Sequence, residues 1–136
     1  VGTPHIWYGD EVGMMGAHDP DCRRPFNWKY TEDSEKVTLR DYYKKLIQIR
    51  KTNSCLRTGS FDTLITEGMV YGYLRSDKKS SIAVILNNDT NRNKIKVPLN
   101  SHKVINLLTR KEYPIKEGVL EVELDVMSGM ILKFLN

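Results

Sequence analysis

The sequence predicts a mainly β protein: an antiparallel β-sandwich preceded by a strand–loop–helix segment. Three observations predict it. After Asn53 the apolar pattern leaves a helical period for short runs of period two or continuous apolarity. Turn residues punctuate those runs at Glu67-Gly68, Asp77-Lys78, Asn87 to Asn91, Asn100-Ser101, Glu117-Gly118 and Ser128-Gly129. Ahead of them lies one long stretch with a wide apolar face at 3.6-residue spacing.

The elements follow in chain order. Residues 3–8, Thr-Pro-His-Ile-Trp-Tyr, read as a short extended segment, with Pro4 tolerable at a strand start. Gly9 ends it, and Asp10 to Gly16 has no period. His18 to Trp28 is loop: Asp19-Pro20 is a turn signal, and Pro25 disfavours helix at Arg24. A helix follows, with Asp33, Ser34 and Thr38 as candidate N-caps and Thr38-x-x-Asp41 resembling a capping box. Leu39, Tyr42, Tyr43, Leu46, Ile47 and Ile49 share its apolar face, and Arg40, Asp41, Lys44, Lys45, Gln48 and Lys51 take the other, solvated one. Strands are expected at Ser60–Thr66, Met69–Arg75, Ser80–Asn87, Asn93–Leu99, Lys103–Leu107, Val119–Leu124 and Met130–Leu135. Roughly six to seven short strands at this spacing make a sandwich. Ile82, Val84 and Leu86 alternate; Val119, Val122 and Leu124 break alternation once, which allows a bulge. A domain boundary is expected within Ser54 to Thr58, dividing 1–56 from 57–136.

Composition excludes several classes. With 136 residues, 40% hydrophobic and 28% charged, the chain is one ordinary globular domain's worth. It contains no apolar run long enough to span a bilayer and no signal-peptide pattern. The net charge of +4 is mild and spread from Lys29 to Lys133 without interleaved aromatics, so no nucleic-acid partner is expected. Cys22 and Cys55 make neither a disulfide framework nor a zinc site. Free thiols fit a reducing compartment, and a cytoplasmic location is the expectation.

Few residues can carry chemistry. Asp10 and Glu11 are adjacent, and neighbours on an extended segment point to opposite faces. They therefore cannot flank one bond as a catalytic pair, and hydrogen bonding to loop amides is their expected role. His18, Asp19, Asp21 and Cys22 are too tightly spaced for a closed tetrahedral site, so no metal and no cofactor are expected. Asp19 and Arg23 leave two readings open: an acceptor and a planar five-donor fork can bind vicinal sugar hydroxyls, or can pair internally and shape the loop. Tyr71 and Tyr73 share a strand face and would serve a stand-alone carbohydrate-binding or interaction sandwich, the alternative function, or simply pack.

Gly2-Thr3-Pro4-His5-Ile6-Trp7-Tyr8-Gly9-Asp10-Glu11-Val12-Gly13-Met14 resembles the G-x-P-x-I-Y-Y-G-D-E-x-G-M segment of the α-amylase superfamily, glycoside hydrolase family 13. There it forms the eighth strand of the catalytic (β/α)8 barrel and its following loop. Asp19-Pro20-Asp21-Cys22-Arg23-Arg24-Pro25-Phe26 with Trp28 is similar to the D-P-D-C-R-R-P-x-x-W loop of the neopullulanase, cyclomaltodextrinase and maltogenic amylase branch. The helix Tyr42 to Lys51 resembles the eighth barrel helix, and the remainder resembles domain C. Oligo-1,6-glucosidases usually carry Q-G-E-E where Tyr8-Gly9-Asp10-Glu11 stands, which favours the neopullulanase-like branch.

The resemblance implies the C-terminal part of an enzyme acting on α-1,4, and in some members α-1,6, glucans. It implies no catalytic residue here, because the family's Asp nucleophile, Glu acid/base and Asp stabiliser follow strands four, five and seven. It implies substrate binding by Asp19 and Arg23, near the donor-side subsites, through the complete barrel only. A lone strand and helix cannot close a barrel, and apolar positions of that kind draw about 1.5–3 kcal/mol each from burial. The leading segment is therefore expected to be disordered, laid over the sandwich, or engaged in self-association through the exposed barrel remnant. No membrane contact is expected.

Overall fold

The computed structural model describes residues 2–135. They form two compact units, one running to Ile49 and the other from Arg50.

The first unit is held by turns. Residues 3–8 are exposed and form no strand, contrary to the expectation, because a strand needs a neighbour to take its hydrogen bonds and none pairs with this segment among the described residues. Gly9 then turns the chain at φ 97°, where a Cβ would sit 2.8 Å from Met14 Sδ. A 3₁₀ turn, Asp10–Val12, buries Val12 completely. Two further 3₁₀ turns, Asp21–Arg23 and Trp28–Glu32, shape the polar loop.

Helix α1 spans Ser34–Thr52. Its start is fixed by Asp33, whose Oδ1 accepts from the Glu35 N–H at 3.0 Å and the Lys36 N–H at 3.3 Å. Those amides, the Lys36 backbone foremost, hold the Asp33 carboxyl below the usual range. The expected Thr38 capping box does not form. Thr38 lies one turn inside the helix and donates its hydroxyl to Ser34 O at 2.8 Å. None of α1 is fully buried, and Tyr42 and Ile47 on its apolar face are 47% and 40% exposed.

The second unit is the sandwich. A short helix α2, Cys55–Thr58, buries Cys55 and Leu56 and lies against two of the strands that follow it, Val70–Ser76 and Ser81–Asn87. The strands are β1 (Asp62–Glu67), β2 (Val70–Ser76), β3 (Ser81–Asn87), β4 (Asn93–Pro98), β5 (Lys103–Asn106), β6 (Glu112–Pro114), β7 (Val119–Leu124) and β8 (Ser128–Leu135). Six form one antiparallel sheet in the order β1-β2-β3-β8-β5-β6, faced by the β4–β7 pair. Ile95 opposes Val122 and Val97 opposes Leu120 in that pair, all pointing into the core. Ala83, Ile85, Val104, Met130 and Leu132 meet them from the large sheet. The core face of β3 is thus Ala83 and Ile85; the alternation Ile82, Val84, Leu86 marks its opposite face, where Ile82 and Val84 are buried and Leu86 is half-exposed.

Two details depart from the sequence reading. β7 alternates regularly, with Leu120, Val122 and Leu124 inward, and its register with β4 is unbroken. The bulge lies instead in β1, between Thr63 and Ile65. Strand β6 was not anticipated; three residues carry too short a pattern to register.

One buried amide fastens an end of the sandwich. Asn87 is 2% exposed. Its Nδ2 donates to Asn91 O at 3.0 Å and to Asp125 O at 2.7 Å. Its Oδ1 accepts from the Asp89 N–H at 3.1 Å and from Asn93 Nδ2 at 3.0 Å. All four capacities of the side chain are used, which is how a buried polar group is tolerated.

Candidate sugar-contacting loop

The loop from Ala17 to Trp28 contains two interleaved Asp–Arg pairs, Asp19 with Arg23 and Asp21 with Arg24. Asp19 and Arg23 form a two-point fork, with Nε–Oδ1 at 2.8 Å and Nη2–Oδ2 at 3.3 Å. The four-residue spacing lets a single 3₁₀ turn bring them together. Both side chains are open to solvent, at 61% and 72% exposure. Arg23 Nη1 has no protein partner among the described residues, so the guanidinium keeps donors in hand beyond those on Asp19.

The second pair is structural. Asp21 Oδ1 accepts from Arg24 Nε at 2.7 Å, and its Oδ2 accepts from the Ala17 N–H at 2.7 Å. The Arg24 hydrogen bond, then the Ala17 amide, hold the Asp21 carboxyl below the usual range. Tyr8 adds a tie, donating its hydroxyl to Arg24 O at 3.0 Å. Cys22 Sγ lies 3.9 Å from Asp19 Oδ1.

Asp10 and Glu11 do the work of loop support. Asp10 Oδ2 accepts from the Trp7 N–H and Glu11 Oε2 from the Gly9 N–H, each at 2.9 Å. Both carboxylates are thus engaged by backbone amides of their own loop. Among the described residues no three His, Cys, Asp or Glu side chains converge as a metal-holding group. Among the described residues no helix is long and apolar enough to cross a membrane.

Aromatic residues end the loop. The Trp28 ring meets the Phe26 ring edge-on, with centroids 4.8 Å apart, and Phe26 meets Tyr30 at 6.2 Å. Arg40 caps the far side of this group, 5.2 Å above the Tyr30 ring. Trp28 is nonetheless 79% exposed. No periodicity in an irregular loop could have announced that, nor the Tyr8–Arg24 bond between residues sixteen apart.

In the sandwich, the rings of Tyr71 and Tyr73 lie 6.0 Å apart. Phe61 stacks on Tyr73 at 4.9 Å and covers one of its faces, and Arg75 lies over the Phe61 ring at 5.9 Å. Burial pushes the Tyr73 phenol up.

No protein-family model matches the chain. A cyclomaltodextrinase from Thermoanaerobacter pseudethanolicus is 49% identical over 90 residues, which is 66% of this chain and 15% of that protein. Neopullulanase 2 from Thermoactinomyces vulgaris is 36% identical over 137 residues, covering 97% of this chain and 23% of its own length. A solved cyclomaltodextrinase superposes with a TM-score of 0.87 at 29% identity over 98% of this chain and 23% of that one. An Anoxybacillus alpha-amylase gives 0.84 at 28% identity over 93% and 28%. The chain thus spans 15% to 23% of the length of these sequence relatives, in their C-terminal portion.

Proposed function

The chain belongs to the α-amylase superfamily, glycoside hydrolase family 13, among its cyclomaltodextrinases, neopullulanases and maltogenic amylases, and on that premise we propose that these residues serve as the C-terminal part of an α-glucan-degrading hydrolase. Residues 57–136 are its domain C, and residues 1–56 supply the last strand, loop and helix of its catalytic barrel. The barrel is closed by strands outside the 136 residues, and the Asp, Glu and Asp that perform the retaining double displacement reside there. One observation carries the reading. The Asp19–Arg23 fork, solvent-open and two-point, stands within a chain of which 97% matches neopullulanase 2 of T. vulgaris.

In that reading Asp19 and Arg23 bind substrate. The carboxylate accepts from one sugar hydroxyl while the guanidinium donates to its neighbour, and the ion pair fixes the spacing between them. The pair holds glucan; it takes no part in bond cleavage. A reducing compartment suits the two free thiols, Cys22 and Cys55.

The test is a graft. The segment of neopullulanase 2 from T. vulgaris aligned with this chain is replaced by it, and pullulan hydrolysis is followed. The graft hydrolyses pullulan, and Arg23→Ala or Asp19→Ala raises KM about tenfold while kcat stays within a factor of two or three. The 136-residue chain by itself releases no reducing sugar from cyclodextrin, pullulan or starch. Release by the pure chain, or an unchanged KM in both variants, would sink the proposal. Alone, the chain associates with copies of itself through the half-exposed stripe of α1 carrying Tyr42 and Ile47. A strictly monomeric mass by light scattering at millimolar concentration counts against that association.

A further inference from the structure

We propose that Arg75 anchors the sandwich to the rest of the complete enzyme, its guanidinium receiving an aspartate or glutamate carboxylate from the part that lies outside residues 1–136. The inference rests on the hydrolase reading above and adds to it the face by which domain C meets that part.

Three features point to it. The first is an unsatisfied cation. Arg75 is half-buried on β2, and one of its five N–H donors is used, Nη2 on Gly59 O at 3.0 Å. Nε is shut off from solvent and has no acceptor among the described residues. The ion pairs of the sandwich join other residues, and none of them reaches Arg75. Holding a guanidinium half out of water without a counter-charge is costly, and a carboxylate on the donors that Gly59 leaves unused relieves that cost.

The second feature is the character of the face. Arg75 and Lys133 both oppose Ile82, from β2 and β8, so the three form a row on the side turned away from β4 and β7. Lys133 Nζ donates to Asn53 Oδ1 at 3.1 Å, and Arg50, at the end of α1, donates to Leu56 O. The Tyr73 phenol, raised chiefly by burial, is drawn back by the charges of Arg75 and Arg50. Three cations here are thus bonded to carbonyl and amide oxygens. The outward side of β4 and β7 is the opposite case, with Lys96 on Glu121 at 2.6 Å and Lys94 on Glu123 at 4.0 Å. A face that pairs its own charges suits water; one that leaves its cations without acids complements an acidic partner.

The third feature says which partner. The chain enters the sandwich on this face, where Lys133 and Arg75 grip Asn53 and Gly59 at the two ends of α2. It covers 23% of the length of neopullulanase 2, so most of such an enzyme lies elsewhere.

The experiment compares the 136-residue chain with the neopullulanase graft, each carrying Arg75→Met or Arg75→Lys, by thermal unfolding and, for the graft, pullulan hydrolysis. In the chain alone Arg75→Met moves the transition by less than about 2 °C, because losing the bond to Gly59 is offset by removing an unpaired, half-buried charge. In the graft it lowers the transition by roughly 5 °C or more, because a carboxylate is left without its partner. Arg75→Lys keeps the charge without the fork and recovers about half of that loss. Below about pH 4 the excess loss in the graft shrinks, as the carboxylate takes up its proton. Tyr73, Arg50 and Lys133 are present in both proteins, so their own titration cancels between them. Equal shifts in graft and chain overturn the inference, since Arg75 then serves only Gly59 and Phe61. So does an excess loss that is the same at pH 3 and pH 7, which marks a neutral acceptor. So does inorganic phosphate that stabilises the chain alone and not its Arg75→Met variant, which marks a site for a free anion. If the unaltered graft hydrolyses pullulan and the shifts are equal, only the anchor fails; if that graft is inactive, the hydrolase reading fails and the anchor with it.

Discussion

Replacing Asn87 by Leu keeps the branched outline of the side chain, makes it somewhat bulkier and removes its four hydrogen bonds. Each such bond contributes about 0.5–1.5 kcal/mol net. Two of the losses are softened: Asp125 O still accepts from Ser128 Oγ at 2.7 Å, and Asn91 O from Asn93 Nδ2 at 3.3 Å. The Asp89 N–H has no such reserve. The expected loss is therefore about 3 kcal/mol, a large share of the 5–15 kcal/mol that holds a typical domain. Urea unfolding followed by circular dichroism reads it directly. With a slope of roughly 1–3 kcal/mol per molar, the midpoint falls by about 1–3 M at constant slope. Asn87→Asp is the sharper variant. It retains an acceptor for Asp89 N–H but turns a negative oxygen toward the carbonyls of Asn91 and Asp125, so it is expected to be worse than Leu. A midpoint within about 0.3 M of the parent for either protein refutes the claim that this amide fastens the sandwich.

Other outcomes follow from the same packing. Leu120→Ala empties a fully buried site between the sheets and is expected to cost about 2–5 kcal/mol by urea unfolding; a loss below about 1 kcal/mol would mean the site collapses freely. Asp33→Ala removes the acceptor for two α1 amides, so helical ellipticity falls; identical spectra would show the cap to be idle. Asp21, Asp33, Asp77, Asp89 and Glu121 are all held below their usual pKa by hydrogen bonds, from Arg24, Lys36 N–H, Ser54, Asn91 N–H and Lys96 respectively. A depressed folded-state value means that their contribution is complete above the unfolded value near 4 and is lost as pH falls through the folded one. Stability is expected to be flat from about pH 5 to 7 and to decline below about pH 4; a maximum at pH 3 would contradict it.

Legibility varied with how local the physics was. The strands came through because period two is written in consecutive residues, as in Ile95 and Val97 or Leu120, Val122 and Leu124. β3 was found, but which of its faces meets the core was not assigned. Ile82 to Ile85 is apolar on both sides, so alternation could not say that Ala83 and Ile85 face β4 and β7. Helix α1 was legible from its stripe, but three polar residues near its start competed for the cap. Only geometry chose Asp33 over Thr38. The Asp19–Arg23 approach was readable from a four-residue offset, as was the engagement of Asp10 and Glu11 with loop amides. The segment 3–8 has strand composition without strand partners, and composition carries no information about partners.

The place of β8 in the large sheet has a consequence for synthesis. It pairs with β3 on one side and with β5 on the other, so it joins two pieces that cannot touch without it. Until Ser128 to Leu135 leaves the ribosome, β1-β2-β3 stands as a meander with its third strand unpaired along one edge. That edge is Ile82-Ala83-Val84-Ile85-Leu86, uncharged, free of proline and rich in β-branched residues. At about 5–20 residues per second, the stretch between β3 and the end of β8 takes a few seconds to make. For those seconds the nascent chain displays its most aggregation-prone strand, and holding that edge apart is the task a chaperone would meet.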